Sequence, residues 1–143
     1  MATMGFEWSG IGTSYAKDYP SDGGDDVAAG DLVTLTAGQV SIASDGAIFG
    51  VALKDIGAVA DVEIPVQVIT KDSVWIAQMD DTTAAAYVGE DYGLNYTTGS
   101  MGVDLGDTTT TQVRIEQLDT RDGIKANGRV YVRFLAGVLD EDI

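Results

Sequence analysis

Two segments near the C-terminus alternate apolar and polar residues, the period of a half-buried strand. In residues 112–118, Val113 and Ile115 fall on one face, with Arg114 and Glu116 on the other. In residues 128–134, Val130, Val132 and Phe134 oppose Tyr131 and Arg133. Asp122-Gly123 and Asn127-Gly128 supply turn chemistry between them, which predicts a hairpin with Glu116 within reach of Arg133. Residues 62–68 repeat the pattern through Val62, Ile64, Val66 and Val68. Pro65 on the opposite face has no N–H to give a ladder, which predicts an edge strand. Shorter apolar runs over residues 31–35, 39–42, 47–53, 73–79, 92–96 and 101–105 complete a series of about eight short strands. Residues 81–87 are the one helical stretch, capped by Asp81 or Thr82 and stopped by Gly89. Val66, Ile76, Ile115 and Val132 are expected in the core.

That succession, with 18 glycines, predicts an all-β fold, a small β-barrel or sandwich with one short helix. Residues 30–143 read as this domain, with room for two sub-barrels meeting near residue 80. Residues 1–29 break the pattern. Phe6, Trp8, Ile11, Tyr15 and Tyr19 stand among Gly and Ser without a period, and a turn-forming run from Pro20 to Gly24 follows them. Two readings suit this segment. It is an extended N-terminal arm and linker that docks these five residues on a partner, or a strand of the domain itself.

Composition removes whole classes of chemistry. The 143-residue chain has no Cys and no His, so disulfides, thiolate and imidazole catalysis and Cys/His zinc sites are excluded. Acids number 23 against 8 Lys plus Arg, a net charge of −15. This balance opposes contact with nucleic-acid phosphates and with anionic membranes, and neither is expected as a partner. The surplus is even: residues 1–72 hold 11 acids and 3 bases, and residues 73–143 hold 12 and 5. No apolar run reaches the roughly 20 residues of a membrane helix, and the start of the chain has neither the basic nor the apolar region of an export signal.

Candidate catalytic motifs are weak. Ser14-Tyr15-Ala16-Lys17 fits the S-x-x-K pattern, in which a helix brings Lys one turn on from a nucleophilic Ser, but its aperiodic setting gives no such helix. Gly10-Ile11-Gly12 lacks the strand-to-helix context of a dinucleotide site. Asp25-Asp26, Asp80-Asp81 and Glu90-Asp91 lack the spacing of a calcium loop. No carboxylate stands beside aromatics in a way that predicts a sugar cleft. Asn95-Tyr96-Thr97 matches a glycosylation sequon without an export signal to support it. Trp75 lies in an apolar strand and reads as core. The expectation is a protein that is not an enzyme and needs no cofactor or metal.

Residues 30–35 (Gly-Asp-Leu-Val-Thr-Leu), residues 46–55 with Gly50-Val51-Ala52-Leu53, and residues 62–68 together resemble the capsid decoration (cement) proteins of tailed bacteriophages. Residues 88–96 and 114–119 resemble segments of phage head proteins of the same kind. The likeness runs from about Gly30 to Phe134. It implies a small β-barrel or β-tulip that sits on the outer surface of the virion. Such a protein binds the major capsid protein, clamps neighbouring capsomers and associates with itself, as a trimer in preference to a dimer. A binding module, either a head-fibre base or a carbohydrate- or host-surface-binding barrel, is the alternative.

Overall fold

The computed structural model describes residues 5–44, 47–80, 84–119 and 128–139. It is all-β, with eleven strands among the described residues. They are β1 (Phe6–Ile11), β2 (Ala16–Asp22), β3 (Leu32–Thr36), β4 (Gln39–Ile42), β5 (Gly50–Ala52) and β6 (Ala60–Val68), then β7 (Val74–Gln78), β8 (Asp91–Asn95), β9 (Gly102–Asp104), β10 (Val113–Leu118) and β11 (Arg129–Phe134).

Five of them close a barrel in the order β2-β4-β3-β5-β6. The long antiparallel pairing of β2 with β6 carries Tyr19 opposite Ile64, and one parallel pair, Ser21 with Val40, completes the circuit. The barrel interior is filled by Val33, Val40, Phe49, Ile64, Val66 and Val68, all of them buried. Alternation along β6 therefore works as the sequence pattern predicts, with Glu63, Pro65 and Gln67 turned outward.

The remaining strands form a six-stranded sheet, β1-β7-β11-β10-β8-β9. It curls until β9 meets the chain just past β7 through a parallel bridge between Met79 and Val103. Asp80 N–H donates to Val103 O there, at 3.1 Å. The concave side holds Trp75, Met79, Met101, Val113, Ile115, Val130 and Val132. Val66, Ile76, Ile115 and Val132 are all buried, as expected. The predicted hairpin is β10–β11, with Arg133 Nε donating to Glu116 Oε1 at 2.7 Å on its outer face. Its turn residues Asp122, Gly123 and Asn127 lie outside the described residues.

The two bodies share a wall. Leu32, Ile48, Val51 and Ile69 point out of the barrel into the core of the sheet, while their neighbours Val33, Phe49, Ala52 and Val68 point into the barrel. A strand covered on both faces needs unbroken apolar sequence, which is why this part of the chain does not alternate. The chain passes from one body to the other at residues 69–73, some ten residues before the expected joint near residue 80.

Three expectations require correction. Residues 1–29 do not form a separate arm: β1 pairs with β7 in the sheet, and β2 pairs with β6 in the barrel. The aperiodic look of the segment arises because consecutive strands serve different bodies, and the crossing between them is tight. Gly12 (φ +81°) lies there with its α-carbon so close to Asp72 that a Cβ would sit 1.9 Å from the Asp72 carbonyl oxygen. Second, β6 is not an edge strand, since β2 and β5 flank it. Pro65 is tolerated because the side that lacks its N–H faces the end of β5. Only its carbonyl is used there, by Leu53 N–H at 2.9 Å. Third, the predicted helix is reduced to a single 3₁₀ turn at Ala85–Tyr87, with residues 81–83 outside the description.

Candidate docking surface

The five aromatic and aliphatic residues of the N-terminal segment divide between core and surface. Phe6 is buried, and its ring meets Phe134 at 5.6 Å between centroids. Trp8 packs its body against the sheet core and donates its indole N–H to Ile11 O at 3.1 Å. Tyr19 stands edge-on to Phe49 at 5.0 Å, half inside the barrel. Burial, with Tyr15 nearby, holds the Tyr19 phenol above its usual value. Only Ile11 and Tyr15 are freely exposed, at 49% and 48%. Two of the five expected contact residues therefore remain available in full and Trp8 in part, while Phe6 is a core residue.

At the joint between the bodies lies a groove of about 540 Å³. Phe6, Glu7 and Trp8 of β1 line one side, and Val51, Leu53 and Gln67 of the barrel line another. Trp75 and Ile76 of β7 also line it, with Arg129 of β11. Leu53 is 47% exposed, although its side chain is wholly apolar. The sequence pattern did not single out Leu53. The available signal was the run Val51-Ala52-Leu53, one apolar residue longer than β5 itself.

The outer face of the barrel continues this surface with carboxylates. Glu63 and Asp18 are exposed on paired strands, with Pro20 opposite Glu63 and Pro65 opposite Asp18. Lys17, in contrast, lies over the Tyr19 ring, 5.5 Å from its centroid.

The polar groups singled out by motif are engaged structurally. Ser14 Oγ donates to Val68 O at 2.6 Å and accepts from Gln67 Nε2 at 2.8 Å, on no helix, so Ser14 and Lys17 serve different contacts. Asp26 Oδ1 accepts from Ala58 N–H at 3.0 Å, and Asp91 holds Arg114 at 2.8 Å. Asn95 Oδ1 accepts from Thr97 N–H at 3.0 Å, closing a turn. Among the described residues, no three acidic groups converge as a cation site would require.

Asp31 is a buried carboxylate. It accepts from Ala28 N–H at 3.0 Å and from Gly99 N–H at 2.9 Å, which ties the β8–β9 loop to the start of β3. Burial raises its pKa, against the opposing effect of those N–H groups. Burial and the neighbouring Asp104 likewise raise Asp80. These contacts join elements of the fold, and neither acid opens onto the groove.

A scan against protein-family models finds no match to the chain, and a search of curated proteins finds none.

Proposed function

We propose that this chain is a structural protein that binds the outer surface of a tailed-phage capsid, through the major capsid protein, and stabilises contacts between capsomers. The observation that carries this reading is the apolar groove bounded by Trp8 and half-exposed Leu53 on a molecule of net charge −15. Water-exposed apolar surface rimmed by polar groups marks a contact site, and strong negative charge keeps a protein soluble at the density an outer shell demands. The family resemblance of residues 30–134 supplies the partner. The role is one of binding without catalysis, and self-association, as a trimer in preference to a dimer, would present several identical contacts at once.

Heads lacking their decoration, heated with and without the purified protein, test the reading. The temperature of DNA release should rise when the protein is added, and an unchanged release temperature would argue against it. The half-exposed ring of Tyr15 favours a second reading, a module for host-surface carbohydrate. Saturable binding to glycans, with none to heads, would select that one.

A further inference from the structure

β1 is the terminal strand of its sheet, so one of its edges has no partner strand among the described residues. Along a strand the N–H and C=O of alternate residues point to the same side. Phe6 turns its N–H away from β7 and donates it to Gly30 O at 2.8 Å. Trp8, two residues on and just before the pairing with β7 becomes irregular, therefore turns its N–H to that same outer side, where the groove lies. An open edge of this kind is a template for another extended chain. Glu7 is the only charged residue of β1 that could discourage pairing.

We propose that the groove receives an extended strand of another protein, added to the β1 edge at Trp8, with an apolar side chain in the slot and basic residues beside it. Each property of the occupant follows from one feature of the wall. The outward-facing N–H of Trp8, on the edge without a partner strand among the described residues, selects main chain in an extended conformation. The slot between Trp8 and Leu53 selects an apolar side chain. From Gln67 the outer face of the barrel leads to Asp18 and Glu63, and these select positive charge. At this groove, beside Asp18 and Glu63, a strand from a second copy of a chain with 23 acids against 8 bases is disfavoured, and self-association would use another face. The inference rests on the capsid reading only for the owner of the strand, a capsid subunit.

The test uses the whole protein and a defined probe, a short alternating Val/Thr peptide flanked by lysines. Amide exchange at Trp8 should slow as the peptide is titrated. The same peptide with its central amides N-methylated should leave it unchanged. Leu53→Asp should weaken peptide binding by about tenfold or more, as loss of a central contact does, while its melting temperature stays near that of the parent. Asp18→Lys with Glu63→Lys should weaken binding and flatten its dependence on salt. Unaltered exchange at Trp8, or equal binding by Leu53→Asp, would overturn the proposal. Two mixed outcomes separate it from the capsid reading. A protein that takes the peptide but ignores heads keeps the groove and loses the capsid. Heads bound equally well by Leu53→Asp and by the parent keep the capsid and lose the groove.

Discussion

Leu32 and Val33 are adjacent in β3, are both fully buried, and face different cores. Leu32 lies against the curled sheet, where its N–H meets the Met101 sulfur at 3.2 Å. Val33 points into the barrel beside Phe49 and Val66. The same reversal recurs at Ile48–Phe49 and Val68–Ile69, so the barrel wall is also one wall of the second core.

Because the wall is shared, the molecule should melt as one cooperative unit. Leu32→Ala and Ile64→Ala remove volume from different cores, and each should cost about 2–5 kcal/mol. Calorimetry of both variants should show a single transition moved downward. Two separated transitions would mean that the bodies fold independently.

The crossing from β1 to β2 yields a paired test at glycines. Gly10 and Gly12 both have positive φ (+88° and +81°), but a Cβ at Gly10 meets nothing within 4 Å, whereas at Gly12 it collides with the Asp72 backbone. Gly10→Ala should cost about 1–2 kcal/mol, the strain of the left-handed region alone. Gly12→Ala should cost clearly more, and denaturant melts of the two should differ. Equal losses would contradict the close packing of this crossing on residue 72.

Deleting residues 1–19 addresses the same question more coarsely. The deletion removes β1 and the part of β2 that pairs with Ile64 through Gln67, so the barrel should open. Far-ultraviolet circular dichroism should lose its strand signal. A truncated chain that keeps a parent-like spectrum and melting temperature would restore the arm reading.

Stability should peak on the acid side of neutrality. Burial raises Asp31 and, with Asp104, Asp80, so the folded state binds their protons more tightly than the unfolded chain does. Stability therefore grows as pH falls through their raised folded-state values toward the ordinary carboxylate range, and weaker self-repulsion adds to the gain. Asp72 and Asp107 act in the opposite sense. The Thr70 hydroxyl lowers the first, and the N–H groups of Thr110 and Thr109 lower the second. Their stabilisation is present above the ordinary carboxylate range and is lost as pH falls through their lowered values. Melting temperatures across this range should rise and then fall, and Asp31→Asn should flatten the rise. A steady decline from neutral pH downward would contradict the assignment.

What the sequence disclosed follows from how many faces of each strand are covered. β10 and β11 are buried on one face, so Val113, Ile115, Val130 and Val132 alternate with Arg114, Glu116, Tyr131 and Arg133 and the hairpin is legible. β6 is legible for the same reason. β3 and β5 are covered on both faces, and the runs Leu32-Val33 and Val51-Ala52 carry no period that tells which residue belongs to which core. β1 and β2 were harder still. Their partners, β7 and β6, lie about 40 to 70 residues away, and no local pattern encodes that pairing. The groove was hidden for a related reason, since Leu53 meets Trp8 and Ile76 of the sheet only through the packing of two bodies. The aromatic richness of residues 6–19 was visible, but not that Phe6 would be buried and Tyr15 left in water.

Attachment to a capsid exterior is the role proposed for this protein. The most direct measurement is cosedimentation of increasing amounts of purified protein with heads that lack decoration, counting bound copies per capsid subunit. The account predicts saturation at a fixed whole-number or simple fractional ratio, as attachment at repeated symmetric positions requires. Binding that never saturates, or heads that sediment without the protein, would contradict it.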